Sequence, residues 1–241
     1  MNAPSTCALL FLVACGSPGT PTTTGETFGP THAGSYHPGP VDWAQSQWSN
    51  SCAPYPPAVQ ALEGEYLAGV DASLNGDGSL CDACALVTTR LGKSLLVRII
   101  TTGASNSAGD MDLSLAAYDA LHEDDPQGTP SNPRPMTWQL AKCPAAGGRI
   151  QLQYQAGAHV DWTSLWVRNA RLPLAKVEVQ GGHHADFFAL RRETDGTWND
   201  DSGFGEGPFT LRLTSTSGAT LSQRFTALQP GAVVATDVQF E

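Results

Sequence analysis

Nowhere in the 241 residues do 18 apolar residues follow one another, so no segment of the sequence is a helical membrane span. Basic residues are scarce: 13 Lys and Arg stand against 23 Asp and Glu, giving a formal charge of -10 and a pI near 4.9. That balance argues against nucleic acid as a partner, and equally against tight docking on acidic polysaccharides or anionic lipid surfaces. A neutral partner fits best. Ser105 and Ser107 do not sit in Gly-x-Ser-x-Gly, so a serine hydrolase has no support. There is one Cys-x-x-Cys, Cys81 to Cys84, whereas a four-thiolate zinc site normally uses two close pairs. Cys84 runs into the strand-like Ala85-Leu86-Val87-Thr88-Thr89 rather than a helix, which argues against a thioredoxin-type redox pair.

What is present is turn-rich and mostly β. With 41% hydrophobic residues, 15% charged, 25 Gly and 17 Pro, the chain can bury one large core or two small ones. Ala8 to Ala14, followed by Cys15-Gly16-Ser17, resembles the apolar core and lipobox of a bacterial lipoprotein signal, with Cys15 as the lipidated residue, although Met1 to Cys7 carries no Lys or Arg. Residues 1–15 are therefore read as a signal and 16–26, dominated by Ser, Pro, Gly and Thr, as a disordered tether. Apart from Cys7 and Cys15, the cysteines are Cys52, Cys81, Cys84 and Cys143, an even number that favours two disulfides in an exported chain.

Residues 28–57 show no usable periodicity and are expected to form long surface loops with at most one strand. Two helices are expected, near Ala58–Leu67 and Leu115–Leu121, among short strands. Asp71 to Asp82 imitates a calcium loop weakly: Asp82 replaces the bidentate Glu, and no good helix follows. From Trp162 the helical signal vanishes, and segments such as Phe209–Thr214, alternating apolar and polar residues, predict a β-sandwich after a boundary at Gly157. His183-His184 reads as an exposed hairpin tip rather than a metal ligand pair, and Glu123-Asp124-Asp125 as a solvated helix end.

The stretch around which the rest is organised is Val97 to Thr102, a small-residue loop, then Gly109-Asp110-Met111-Asp112-Leu113-Ser114. It places Asp112 at a strand-to-helix corner, where an acid either faces a cleft or caps the following helix.

The order of features resembles bacterial expansins. It comprises Cys81-x-x-Cys84 opening a Val-Thr strand, Val97-Arg98-x-x-Thr101, Gly109-Asp110-Met111-Asp112-Leu113-Ser114, Trp138 and Cys143. After these come Trp162-x-x-x-Trp166-Val167-Arg168-Asn169, Pro173-Leu174-x-Lys176-Val177-Glu178-Val179 and Gly207-Pro208-Phe209-Thr210-Leu211-Arg212. The resemblance, from about Gly25 to Glu241, implies a six-stranded double-psi β-barrel (27–157) followed by an immunoglobulin-like carbohydrate-binding β-sandwich (158–241). It also implies Cys52–Cys81 and Cys84–Cys143 disulfides, no cofactor or metal, and a non-hydrolytic loosening of cell-wall cellulose, β-glucan or related glycans. By motif, Asp112 matches the acid required for wall loosening, which in the related family-45 endoglucanases donates a proton to the leaving oxygen.

A hydrolase needs a second carboxylate across the bond, at roughly 5 to 10 Å. Asp110, two residues away on one strand face, lies on the wrong side of the sugar to serve. Thr101-Thr102 stands where the family usually has Thr-Asp, and Asp161-Trp162 where it has two aromatics, with Asp195 near the place of a third. Candidate glycan-binding residues are Trp162, Trp166, Trp198, Thr101 and Thr102. Two classes stay open. One is a non-enzymatic, monomeric glycan-binding protein, secreted or membrane-bound only through a lipid anchor. The other is an enzyme on the same barrel: an endoglucanase-like activity, or a lytic transglycosylase resembling rare lipoprotein A and acting on peptidoglycan.

Overall fold

The computed structural model describes residues 25–39, 51–63, 66–102, 107–122, 134–144 and 148–241. The expected signal with Cys15, the tether up to residue 24, Ser105 and the acidic run 123–125 lie outside the described residues.

Six strands close into a barrel in the order β1-β5-β2-β4-β3-β6. They are β1 (Thr27–Pro38), β2 (Leu67–Val70), β3 (Cys84–Thr89), β4 (Ser94–Thr102), β5 (Met111–Leu113) and β6 (Arg134–Ala141). Two pairs, β1 with β5 and β2 with β4, are parallel and the other four antiparallel, giving the mixed double-psi barrel that the resemblance implied. Tyr36, Val87, Val97, Ile99, Met111, Leu113 and Trp138 fill its interior. Three short helices connect these strands: α1 (Pro57–Glu63), α2 (Ala72–Asn75) and α3 (Leu115–Leu121). The segment that weakly imitates a calcium loop begins with a helix cap. Asp71 accepts the Ser73 N–H at 2.8 Å, and among the described residues no group of three or more His, Cys, Asp or Glu is arranged to hold a metal.

The second half is a sandwich of two antiparallel sheets. One, in the order β10-β9-β13-β14, comprises β9 (Leu174–Gly181), β10 (His184–Ala189), β13 (Phe209–Ser215) and β14 (Thr220–Phe225). The other, in the order β11-β12-β8-β7-β15, comprises β7 (Gln151–Tyr154), β8 (Thr163–Arg168), β11 (Arg191–Arg192), β12 (Trp198–Asp200) and β15 (Val233–Ala235). Strict alternation along β13 buries Phe209, Leu211 and Leu213 against Val177, Val179 and Phe204. The Gly157 boundary needs correcting: β7 already pairs with β8 and β15, so the chain changes sheets between Ala141 and Gln151.

Two disulfides, Cys52–Cys81 and Cys84–Cys143, close loops of 29 and 59 residues. In the chain-entropy account each contributes roughly 3 to 4 kcal/mol. The first ties the 51–56 loop to the turn before β3, and the second ties β3 to the segment after β6.

Every residue of β8 is buried, which a strand achieves only when both faces are covered. Leu165 and Val167 face the sandwich core; Ser164, Trp166 and Arg168 face the other way. Arg168, 0% exposed, carries a charge into the junction with the barrel. Its Nη1 donates to Asp82 Oδ2 at 2.5 Å, its Nη2 to the carbonyls of Cys52 (2.9 Å) and Pro54 (3.0 Å), and its Nε to Gln153 Oε1 (3.0 Å). The guanidinium also lies 4.1 Å from the centre of the Tyr55 ring, whose hydroxyl donates to the other Asp82 oxygen at 2.9 Å. A planar fork meets four acceptors here, which a lysine cannot reproduce. Arg168→Ala strands Asp82 and two carbonyls, and is expected to cost about 3 to 5 kcal/mol in urea unfolding. Arg168→Lys should recover only a minor part. A loss under 1 kcal/mol for the alanine variant would show that the junction does not depend on this side chain.

Candidate functional site

The site begins with two glycines. Where the loop before β5 crosses β1, a Cβ on Gly34 would stand 2.3 Å from the Gly109 carbonyl oxygen, and Gly109 itself has φ +97°. No larger residue fits this crossing without backbone displacement. Trp138 Nε1 donates to that carbonyl at 2.8 Å, and its ring stacks on His32 at 4.1 Å. The crossing brings Asp110 onto β1, where Oδ1 accepts the Ser35 N–H at 2.6 Å and Oδ2 lies 3.8 Å from His37 Nε2.

Met111 and Leu113 point into the barrel, so Asp112 between them points out. In register, His37 on β1 sits beside Asp112, Asp112 beside Gly69 on β2, and Gly69 beside Thr101 on β4. Four adjacent strands thus present a row on one outer face. Gly69 contributes no side chain, and about two strand spacings, roughly 10 Å, separate Asp112 from Thr101; Gly69 and Thr101 are themselves buried. The helix-cap alternative for Asp112 is excluded by Ser114, which takes that place: its hydroxyl accepts the Ala117 N–H at 3.3 Å and the Leu67 N–H at 3.1 Å.

Among the described residues no hydrogen bond reaches the Asp112 carboxylate. Partial burial pushes its pKa up to about 6; the His37 charge opposes the rise and the Asp110 charge adds to it. Asp112 therefore keeps its proton in mildly acidic solution and can donate a hydrogen bond where an ordinary aspartate only accepts. The other nearby carboxylate is Asp110, held on the same side by Ser35 and His37. At the far end of the row, the Thr102 N–H donates to Ser51 Oγ at 2.6 Å, with the Thr102 and Thr101 hydroxyls 2.9 and 3.2 Å from the same oxygen. These two threonines order the rim through Ser51.

The tryptophans divide. Trp162, half-buried, stands just before β8 with His159 at 6.4 Å and retains an accessible ring. Trp198 and Trp166 do not serve as sugar platforms. Trp198 is 5% exposed, part of the sandwich core, and covered by Arg192 at 4.5 Å. Trp166 is 4% exposed, has Arg168 5.2 Å from its ring centre, and spends its indole N–H on the Asp195 carbonyl at 3.0 Å. Its edge joins Pro54, Pro56, Gln155 and Asp195 in lining a groove of about 550 Å³ at the junction of the two halves. The sequence reading missed His37 and Ser51 because both lie in or beside the stretch without periodicity. The pairing of β1 with β5 is what carries His37 to Asp112.

No protein-family profile matches the chain. Expansin-like protein 6 of Dictyostelium discoideum is 22% identical over 169 residues, 68% of this chain, and the chain spans just over half (56%) of that relative's length. Among solved structures, the apo expansin of Clavibacter michiganensis superposes with a TM-score of 0.72 at 24% identity, covering 88% of this chain and 98% of that one. An Asp-to-Asn variant of the same expansin, in complex with cellohexaose, gives 0.72 at 22% identity with the same coverage. The chain has the expansin fold, a closed six-stranded barrel followed by a two-sheet sandwich.

The raised Asp112 pKa has a consequence for stability. The folded state holds this proton more tightly than the unfolded chain, so stability falls as pH rises from about 4 through about 6. Asp112→Asn removes the buried charge. After discounting for partial exposure, it is expected to stabilise the protein by about 1 to 2 kcal/mol at pH 7 and by close to nothing at pH 4. Thermal melts at the two pH values check this; equal effects at both would contradict the assignment.

Proposed function

We propose that this protein is a non-hydrolytic, expansin-like binder of cell-wall polysaccharide, cellulose, β-glucan or a related neutral glycan, which loosens contacts between glycan chains. The observation that carries the reading is Asp112: an outward-facing, half-buried acid with a pKa near 6, whose neighbouring carboxylate lies on the same side. A protonated Asp112 donates a hydrogen bond to a glycosidic oxygen and so competes with the bonds that hold one chain to the next. Bond cleavage with inversion needs a base on the opposite face of the sugar, whereas Asp110 lies on the same side as Asp112. The fold shared with an expansin crystallised with cellohexaose supports a linear neutral glycan as the ligand, and the net charge of -10 disfavours an anionic one.

Localisation rests on the sequence motif alone. We read Leu12-Val13-Ala14-Cys15 as the mark of an exported lipoprotein, bound to a membrane through Cys15 at the cell surface or in the periplasm, or else secreted.

A pull-down on microcrystalline cellulose, insoluble β-glucan and peptidoglycan sacculi at pH 5 and pH 7 tests the reading. Retention on a neutral glucan is expected to be greater at pH 5, where Asp112 is protonated. Asp112→Asn should lose the pH step, and Trp162→Ala should bind about fivefold more weakly, the equivalent of about 1 kcal/mol of ring stacking. Retention on sacculi alone would favour the peptidoglycan-directed alternative. In the same cells, fatty-acid labelling that Cys15→Ser abolishes would support the anchor.

A further inference from the structure

At Leu190 the chain leaves the four-stranded sheet, where β10 is the edge, and enters the five-stranded sheet as β11. Leu190 is buried in the core and its N–H donates to the Val177 carbonyl at 2.9 Å, so the corner is fixed. Outside it lies a groove of about 510 Å³ lined by Phe188, Arg191, Asn199, Asp200, Asp201 and Ser202, a volume in the range of small-ligand sites.

Phe188 is 45% exposed. Its ring is nonetheless held in place. It stacks on His184 at 4.4 Å with 6° between the planes; His184 Nε2 lies 2.6 Å from Asp200 Oδ2, and Asp200 Oδ1 accepts both the Ser202 N–H (3.0 Å) and the Ser202 hydroxyl (2.7 Å). An aromatic face fixed in this way before any ligand arrives loses little freedom on binding. The other large exposed apolar side chains among the described residues, Leu91 and Leu115, belong to the barrel half, so Phe188 is an isolated ring rather than part of an apolar interface.

The rim beside the ring is polar and incompletely satisfied. Asn199 is 8% exposed and lines the groove; its Nδ2 donates to Asp201 Oδ1 at 2.8 Å, while its buried Oδ1 has no hydrogen-bond partner among the described residues. That oxygen is enclosed, so a sugar hydroxyl at the groove would meet the Asp201 carboxylate and the amide and guanidinium N–H groups of Asn199 and Arg191 instead. Arg191 donates to both Asp201 oxygens, at 3.0 and 3.2 Å, and also pairs with Glu193; with Asp200 on the same rim, carboxylates outnumber the single cation, which disfavours an anionic ligand. A flat apolar face beside planar amide, carboxylate and guanidinium groups matches a sugar ring, which is apolar on its faces and carries hydroxyls around its edge.

We propose that this corner is a second glycan site, taking one or two residues of a neutral saccharide chain with a ring face on Phe188 and hydroxyls on Asn199, Asp201 and Arg191. The proposal extends the glycan-binding reading above but shares no residue with the Asp112 row or Trp162. A protein with two such sites binds an insoluble polymer more tightly than either site alone allows.

The test follows backbone amide shifts of the folded protein titrated with cellohexaose, laminarihexaose and, as an anionic control, hexagalacturonate. At least one neutral hexasaccharide is expected to shift Phe188, Asn199 and Asp201 in a saturable way. Phe188→Ala and Asn199→Ala should each weaken that phase about five- to tenfold, Phe188→Trp should preserve it, and Asp112→Asn and Trp162→Ala should leave it unchanged. Shifts confined to the Asp112 row and Trp162 would overturn the second site while leaving the proposed function standing. Shifts confined to the corner would do the reverse. No shift with any neutral sugar, or preference for hexagalacturonate, would overturn the proposal.

Discussion

The structure depends on one buried cation. Arg168 brings a guanidinium from the sandwich into the barrel half and is matched there by a carboxylate, two carbonyls and a ring. A charge this deeply buried is tolerable only because every direction of the fork has an acceptor, and the arrangement therefore fixes how the two halves meet. The consequence reaches the Asp112 row through a short path. The Cys52 carbonyl that accepts from Arg168 is one residue from Ser51, whose hydroxyl accepts the Thr102 N–H and orders the far end of the row. Junction and rim share a single loop, pinned in addition by the Cys52–Cys81 disulfide.

At the other end of the row the controlling constraint is steric. Gly34 and Gly109 allow two backbones to meet closer than any side chain permits, and that crossing brings Asp110 beside the face from which Asp112 projects. Partial desolvation and the neighbouring negative charge then do to Asp112 what a hydrolase does to its general acid. Among the described residues the acid beside Asp112 is Asp110, which is engaged by the strand behind it. A proton donor without an opposed base can hold or compete for a glycosidic oxygen without completing a displacement.

Legibility in the sequence followed local pattern. Helix α3 was readable to the residue because Ser114 precedes an Ala-rich apolar run, and β13 because its alternation is strict. The Asp112 motif and the two disulfides were legible through resemblance, since spacing alone leaves cysteine pairing open. Strand β1 was not legible. Its Gly, Pro and His residues lack strand propensity, and the segment becomes a strand because β5 and β6 pair with it on either side. The same tertiary override hid His37. Trp166 and Trp198 misled because a tryptophan on a strand reads the same whether it faces sugar or core, and only the covering Arg168 and Arg192 settle it. Gly157 misled as a boundary because β7 alternates like any barrel strand, and only its partners reveal its sheet.

The central claim is that Asp112 engages a glycan without cutting it, and product analysis over prolonged incubation tests it most directly. Purified protein would be held with cellohexaose, soluble β-glucan and peptidoglycan sacculi at pH 5, and the supernatants assayed for new reducing ends and anhydro-muropeptides. The account predicts none above the level of a heat-denatured control, from a protein that binds cellohexaose or the β-glucan. Turnover that disappears in Asp112→Asn would contradict it and assign the row to a hydrolase or a lytic transglycosylase.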